Sequence, residues 1–228
     1  MTAIRFPGET ATYRAARDEL LEAERDLRAR AERVASMRRS LPLGGAVPED
    51  YVFEEGWADA RAAARSVRMS ELFDRPEGTL VLYSFMFGPN MAQACPMCTS
   101  FLDGLNGNAE HIAQRVSLAI VAKSPIARIL EFARSRGWTH LRLLSSASSN
   151  FNRAYHAENA EGRQTSIIHT FVRRAGVVYH AYSSELPSLP SEPGQDPRHI
   201  DLMWPLWNVL DLTPEGRGSD WRPKLAYT

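Results

Sequence analysis

The run Thr79–Phe87 contains no charged side chain, and it constrains the fold of this chain more than any other segment. It consists mainly of β-branched, aromatic and aliphatic residues, which favour a β-strand. A strand with one face in water would alternate apolar and polar residues, so an unbroken run predicts a strand that is buried on both faces. Val116–Ala122 has the same character and predicts a second buried strand.

Helical segments separate the predicted strands. In Ser124–Gly137 a serine can cap a helix, a proline takes the first helical position and a glycine can end the helix in a left-handed conformation. Alternating strands and helices favour a parallel sheet with crossovers, and a closing hairpin adds antiparallel strands. The sequence therefore predicts an α/β fold with a mixed sheet flanked by helices. The other predicted elements are an edge strand (Tyr51–Phe53), two helical pieces broken at Gly107 (Cys98–Leu105 and Asn108–Arg115), a third strand (Leu141–Leu144), a hairpin (Ile167–Val172 and Val177–Tyr182) and a last helix disturbed at Pro205 (Ile200–Leu210).

A long helix is predicted ahead of this region, over Thr10–Arg39. Apolar residues recur there every three or four positions, with charges of both signs between them. The apolar stripe is narrow and rich in alanine, so we expect the helix to pack against a neighbour, which is either the main domain or a second copy in a homodimer. A proline and two glycines in Leu41–Gly45 end the helix.

Charge and hydropathy argue against two classes of partner. Lys and Arg together number 27, as do Asp and Glu, so no net field attracts nucleic acid or an anionic membrane. The most apolar run, Leu80–Phe87, is far shorter than the ~20 residues that a membrane-spanning helix needs. The charged N-terminal region lacks the apolar core of a signal peptide. We therefore expect a cytoplasmic protein with no nucleic-acid partner and no membrane partner.

The chain has two cysteines, Cys95 and Cys98, and they carry the strongest functional prediction. They follow the buried strand after a loop and open a helix. Unpaired N–H groups and the helix dipole stabilise a thiolate at a helix N-terminus, so we expect a lowered pKa for Cys95. The spacing puts Cys98 one turn deeper and within disulfide reach. Cys95 is then the exposed nucleophile, and Cys98 resolves the mixed disulfide that Cys95 forms.

Two other interpretations of the cysteine pair remain open. A metal site needs two further ligands, but no third cysteine exists and the six histidines are scattered along the chain. Inert buried cysteines are the other alternative. We favour a redox dithiol because of the strand–helix context, and we expect neither a cofactor nor a metal.

Several further segments accompany the cysteine motif. They are Arg38–Pro42, Asp50–Phe53, Tyr83–Pro89, Gly137–Trp138, Ser145–Ser146, Asn150–Asn152, His180–Ser183 and Asp211–Pro214. In these segments and in Cys95–Cys98 the chain resembles a bacterial thioredoxin-like family that is described as predicted dithiol-disulfide oxidoreductases.

This resemblance implies a thioredoxin-like domain over residues 68–215, after a helical extension over residues 1–60 and before a C-terminal tail over residues 216–228. It also implies a redox-active pair, Cys95 and Cys98. The substrate is then a disulfide-containing protein or a small-molecule thiol, and a reductant recycles the oxidised pair.

Two departures limit what the resemblance implies. Thioredoxins have a cis-proline before the hairpin, whereas here Thr165 or Ser166 takes that place. Peroxiredoxins have Pro-x-x-x-Thr-x-x-Cys around the reactive cysteine, whereas here Pro89 lies six residues before Cys95 and Ala92 replaces the threonine. Thiol-dependent peroxide reduction through a sulfenic acid is therefore the runner-up. Copper binding by the cysteines with a hairpin histidine and a scaffold with vestigial redox chemistry rank below it.

Other polar residues have a structural and a functional interpretation. We expect His169 and His180 at polar surface positions of the hairpin; the alternative is that they protonate a leaving thiolate or complete a copper site. We expect Asn150 and Asn152 in turns or caps; the alternative is that they bind a small polar group.

Overall fold

The computed structural model describes residues 4–59, 63–185, 189–194, 203–213 and 220–227. The chain divides into two compact units, Met1–Pro42 and Leu43–Thr228. The first unit contains helix α1, Ala11–Arg39, which confirms the predicted N-terminal helix. The Thr10 hydroxyl caps α1 by accepting a hydrogen bond from the Tyr13 N–H (3.1 Å). Within the described ranges, no helix is long and apolar enough to cross a membrane.

The second unit is built around one sheet. The strands are β1 (Val52–Gly56), β2 (Arg65–Arg68), β3 (Gly78–Ser84), β4 (Ser117–Ala122), β5 (Leu143–Ser145), β6 (Ile167–Arg174) and β7 (Val177–Ser183). The helices are α2 (Pro96–Ala113), α3 (Ile126–Arg136), α4 (Phe151–Ala154) and α5 (Pro205–Leu210). The strand order is β2-β1-β5-β4-β3-β6-β7. β3, β4 and β5 are parallel, whereas β6 and β7 form an antiparallel hairpin beside β3.

The unit β3-α2-β4-α3, followed by the hairpin β6–β7, is a thioredoxin-like arrangement. The predicted α/β fold with a mixed sheet flanked by helices is therefore confirmed. The predicted edge position of Tyr51–Phe53 is wrong, because β1 pairs with β2 on one side and with β5 on the other. β2 has three polar side chains and no apolar pattern, so composition alone does not mark it as a strand. The domain boundaries at residues 60, 68 and 215 stay predictions.

The residues of β3 and the next residue, Phe85, alternate between two cores, one on each face of the sheet. Tyr83 and Phe85 belong to the core that includes residues of α2 and α3. Leu80 and Leu82 belong to the core on the other face, together with Phe151 of α4. The prediction of a strand buried on both faces is thus confirmed.

α2 is one continuous helix rather than two pieces broken at Gly107. One glycine costs a helix only about 1 kcal/mol, and the buried positions Leu105 and Ala109 lie on either side of it. α5 begins at Pro205, which takes the first helical position instead of disturbing the helix. The predicted start of this helix at Ile200 lies outside the described residues.

Candidate active site

Backbone contacts of Met86 tie the cysteine pair to the end of β3. The Met86 carbonyl oxygen accepts a hydrogen bond from the Cys95 N–H (3.1 Å), and the Met86 N–H donates to the Cys98 sulfur. Cys95 is the N-cap residue of α2, and Pro96 follows in the first turn, where its missing N–H costs nothing. The pair therefore lies between a buried strand and a helix, where the sequence predicts it.

Cys95 and Cys98 are both free thiols, and they come within 3.6 Å of each other. Cys95 is half-buried, whereas Cys98 is only 3% exposed. A reagent in solution therefore reaches the sulfur of Cys95 before that of Cys98.

Hydrogen bonds lower the pKa of the Cys95 thiol to about 6. The largest contribution comes from the Cys98 side chain, and the backbone N–H groups of Cys98 and Met97 add to it, whereas burial acts in the opposite direction. Both N–H groups belong to the first turn of α2, where backbone donors have no partner within the helix. Cys95 is therefore mainly a thiolate at neutral pH.

The same contacts raise the pKa of Cys98 well above its ordinary value. The hydrogen bond to Cys95 contributes most, followed by burial and by the negative charge on Cys95. The Tyr83 hydroxyl and the Met86 N–H act in the opposite direction. The pair thus consists of an outer thiolate and an inner thiol.

Tyr83 is a third polar group beside the pair, and sequence reasoning missed it. Its side chain is only 3% exposed, and its ring packs against Phe101 with centroids 4.9 Å apart. Cys98 and Ser166 are its polar neighbours, and both affect the pKa of the phenol. Burial is the main reason why the pKa of this phenol lies well above its ordinary value. The sequence does contain one signal for Tyr83, because its phenol belongs to the predicted strand that leads to the cysteines.

Ser166 is the residue that reaches this site from the segment before the hairpin. It is half-buried, it directly precedes β6, and it is a polar neighbour of Tyr83. The neighbouring Thr165 uses its N–H to bond the carbonyl oxygen of Ala157 (2.9 Å). Of the two residues expected in place of the cis-proline, Ser166 is thus the one in contact with the groups around the cysteines. The described residues contain no cis peptide bond.

Arg128 of α3 holds the loop between β3 and α2. Its guanidinium donates to the carbonyl oxygens of Met91 (2.5 Å), Ala92 (3.2 Å) and Gly88 (3.2 Å). It also lies 4.3 Å from the ring centre of Phe87, a cation–π contact. Sequence reasoning missed this role as well, because one arginine on an amphipathic helix carries no local signal.

His169 is not at a surface position, and it does not approach the cysteines. It is fully buried on the face of the sheet opposite Tyr83, and its Nδ1 lies 2.7 Å from the Ser183 hydroxyl. His180 Nε2 contacts the same hydroxyl (2.7 Å). Burial is the main cause that lowers the pKa of His169 to about 3 and also lowers that of His180. The surface position predicted for His169 is therefore wrong, and neither histidine can act on the cysteine pair from this face.

The polar cluster after β5 differs in part from the expected turns and caps, because Asn152 lies inside α4. Asn152 is buried. Its side-chain oxygen accepts a hydrogen bond from the Ser146 hydroxyl (2.6 Å), and its side-chain NH2 group donates to the side-chain oxygen of Gln164 (3.3 Å). Asn150 is the N-cap residue of α4, although its side chain makes no capping bond. In the part of the chain that is described, no three His, Cys, Asp or Glu side chains are grouped to hold a metal ion.

Solved structures with a similar chain trace include a peroxiredoxin and two AhpC proteins. The reduced 2-Cys peroxiredoxin of Plasmodium vivax is 12% identical over 75% of this chain and 96% of that chain, with a TM-score of 0.49. AhpC of Enterococcus faecalis is 7% identical over 79% and 98% of the two chains, with a TM-score of 0.48. AhpC of Mycobacterium tuberculosis is 12% identical over 75% and 98%, with a TM-score of 0.47. Similarities at this level carry no conclusion about activity.

Sequence comparison assigns the chain to a family. No curated protein matches it in sequence. A family model described as "Bacterial protein of unknown function (DUF899)" matches residues 5–227, which is nearly the whole length. This protein therefore belongs to the bacterial family DUF899.

Proposed function

We propose that this protein is a thiol–disulfide oxidoreductase that works through Cys95 and Cys98. The observation that carries the proposal is the asymmetry of the pair. The accessible sulfur has a pKa of about 6, whereas the pKa of the buried sulfur beside it is raised. A thiolate is the nucleophile in disulfide exchange, and a neighbouring thiol can then release the product.

The proposed reaction has two exchange steps. First, the Cys95 thiolate attacks a substrate disulfide, so that a bond forms between Cys95 and one substrate sulfur while the other leaves as a thiolate. Second, Cys98 loses its proton and attacks the Cys95 sulfur, so that the Cys95–Cys98 disulfide forms and the second substrate thiolate leaves. The substrate gains the two electrons that the cysteines lose, and an external dithiol returns them to the pair.

A single-turnover experiment with glutathione disulfide tests these roles. The reduced wild-type protein is expected to form the Cys95–Cys98 disulfide and to release two molecules of glutathione. Cys98→Ser is expected to stop at a mixed disulfide between Cys95 and glutathione, and Cys95→Ser is expected not to react. Mass spectrometry identifies each species. A Cys95→Ser protein that reacts as fast as the wild type would refute the proposal.

The direction of the reaction depends on the reduction potential of the pair. Equilibration in glutathione buffers of known composition measures it, and a strongly reducing value favours a reductase whereas a value near that of disulfide donors favours an oxidase. We propose the reductase direction, a dithiol or thiol reductant as partner and a cytoplasmic setting, where thiols stay reduced.

Peroxide reduction is the second candidate, because an accessible thiolate of low pKa also reacts with peroxides. Cys95 would pass through a sulfenic acid, and Cys98 would condense with it to a disulfide and release water. A sulfenate-selective probe added to Cys98→Ser with hydrogen peroxide distinguishes the two functions. Labelling of Cys95 supports peroxide reduction, and an unmodified Cys95 eliminates it.

We also propose that α1 mediates a homodimer. Its exposed residues Tyr13, Leu20, Leu27 and Val34 recur every seven positions, the spacing of a coiled-coil seam. The double variant Leu20→Glu with Leu27→Glu is expected to be a monomer in sedimentation equilibrium when the wild type is a dimer. A wild type that sediments as a monomer at high concentration would refute this arrangement.

A further inference from the structure

An open cavity of about 590 Å³ lies at the amino ends of the parallel strands. It is lined by Leu118 of β4, by Arg142, which directly precedes β5, and by Ala109 and Ala113 in the last turns of α2. Cys95 lies at the opposite end of the same helix, which has 18 residues and is therefore about 27 Å long. The cavity is thus separate from the candidate active site, and its volume is typical of pockets that bind small organic molecules.

Positive charge prevails among the charged groups of this cavity. The lining contains three arginines, Arg65, Arg75 and Arg142, and two carboxylates, Glu55 and Asp74, which leaves a surplus of one positive charge. Glu55 is hydrogen-bonded to Arg142 and lies 2.6 Å from Arg65. Asp74 lies 3.9 Å from Arg142. Both carboxylates are therefore already paired with arginines other than Arg75.

Arg75 keeps hydrogen-bond donors for a ligand. Its Nη2 donates to the carbonyl oxygen of Gln114 (3.0 Å), which anchors the side chain at the carboxyl end of α2. Among the described residues Arg75 has no ion-pair partner, and its guanidinium has further N–H groups. His140 also lines the cavity and lies 3.2 Å from the carboxylate of Glu110, so it adds no negative charge to the lining. A planar guanidinium binds a carboxylate through two parallel hydrogen bonds.

The rest of the lining is apolar and mostly small. Its members are Trp57, Leu118, one glycine and three alanines. Trp57 is 38% exposed, so other residues of the chain do not cover it fully. An indole offers a stacking surface to an aromatic ring, and glycine and alanine leave room for one. A phosphate monoester carries about two negative charges at neutral pH, whereas a carboxylate carries a single charge, which matches the surplus.

We propose that this cavity binds a small aromatic carboxylate, with the carboxylate on Arg75 and the ring against Trp57. The ligand neutralises the surplus charge of the lining and covers the exposed indole. The site uses neither cysteine, so it is independent of the disulfide chemistry proposed above.

Isothermal titration calorimetry with 2-naphthoate tests the site. We expect saturable binding of one molecule per chain. Two analogues should bind at least about 10-fold more weakly, 2-naphthalenemethanol because it lacks the charge and cyclohexanecarboxylate because it lacks the aromatic ring. Arg75→Gln should weaken the binding of 2-naphthoate by about 10-fold, the effect of losing a hydrogen bond between charged groups. Trp57→Ala should weaken it as well, and Trp57→Phe should restore most of the affinity.

Two further variants show whether the effects are specific to this cavity. Arg115→Gln removes an exposed positive charge that lies next to Gln114 but outside the lining, and it should bind 2-naphthoate like the wild type. Cys95→Ser should also bind like the wild type, because Cys95 is at the other end of α2. Near-UV circular dichroism of the free variants checks that each one is folded.

Several outcomes overturn the proposal. The absence of saturable 2-naphthoate binding, equal affinity for 2-naphthalenemethanol or wild-type affinity in Arg75→Gln would each do so. Tighter binding of 2-naphthyl phosphate than of 2-naphthoate would contradict the class of ligand. Loss of binding in Cys95→Ser would contradict the location of the site.

Discussion

Tyr83 and His169 lie on adjacent strands but face opposite sides of the sheet. Tyr83 pairs with Ile168, and His169 pairs with Leu82, so the register places the two side chains on different faces. Tyr83 contacts Cys98, whereas His169 lies among the aromatic rings of the other core. We therefore expect changes at Tyr83 to alter the reaction and changes at His169 to alter stability.

His169 should make the folded state sensitive to acid. Burial lowers its pKa from 6.5 to about 3, so between these values the unfolded chain binds a proton that the folded chain does not. Its contribution to stability is complete above pH 6.5 and is lost as the pH falls, by up to about 1.4 kcal/mol for each pH unit. Denaturant unfolding of wild type and His169→Gln across this range measures the difference in slope. His111→Gln, at an exposed position of α2, is the control; equal slopes in wild type and His169→Gln would contradict the assignment.

Cys98 should set the acidity of Cys95. The rate of Cys95 alkylation by iodoacetamide is expected to rise with pH and to reach half its plateau at pH about 6. In Cys98→Ala the midpoint should move up toward the ordinary cysteine value, because the largest contribution to the lowered pKa is lost. Met97→Leu keeps the backbone N–H that bonds Cys95 and should keep the wild-type profile. An unchanged midpoint in Cys98→Ala would refute this origin of the shift.

Arg128 should order the loop that precedes Cys95. Replacing it with Met removes three hydrogen bonds to loop carbonyls, so we expect faster amide exchange over residues 88–94 and a several-fold slower disulfide exchange. The pKa of Cys95 should stay the same, because its hydrogen bonds come from Cys98 and Met97. Arg128→Lys keeps the charge without the planar guanidinium. Its rates of loop amide exchange and of disulfide exchange should therefore fall between those of the wild type and Arg128→Met. Loop exchange at the wild-type rate in Arg128→Met would contradict this role.

Asp103 should stabilise the contact between α2 and the end of α3. Its carboxylate accepts from the Trp138 indole (2.8 Å) and from Arg136 (2.5 Å). Asp103→Ala leaves a buried indole N–H unpaired, so we expect a loss of about 2 kcal/mol in the free energy of unfolding. Glu110→Gln, on the exposed side of α2, is the control. The rate of Cys95 alkylation should not change in either variant. An Asp103→Ala protein with the wild-type free energy of unfolding would show that the contact contributes little.

Glu55 should be the most sensitive carboxylate of the sheet. It is 4% exposed, is hydrogen-bonded to Arg142 and lies 2.6 Å from Arg65. Glu55→Gln leaves Arg142, whose side chain is 12% exposed, without a charged partner on β1, so we expect about 3 kcal/mol of destabilisation. Glu54→Gln changes the exposed neighbour on the same strand and should have an effect within about 0.5 kcal/mol. Thermal unfolding of the two variants measures the contrast; similar losses in both would contradict the prediction.

The local chemistry of the candidate site could be predicted from the sequence. An uncharged strand, a loop and two cysteines around Pro96 place Cys95 at a helix N-terminus, and neighbouring residues of α2 supply the N–H groups that lower its pKa. These contacts lie within one helical turn, so spacing is enough to predict them. The strands β3, β4, β6 and β7 were likewise marked by their own apolar composition.

Contacts between distant segments depended on the tertiary structure. Strand composition predicts that Tyr83 and His169 lie in a sheet, but only the pairing of β3 with β6 decides which of them shares a face with Cys98. The same holds for Ser166 and Arg128, which reach the cysteine loop from other elements. The sequence by itself thus determined the proposed nucleophile and its helix, because these depend on neighbours along the chain. The partners of the second cysteine were decided by strand register and helix packing, since these bring together residues that are far apart in sequence.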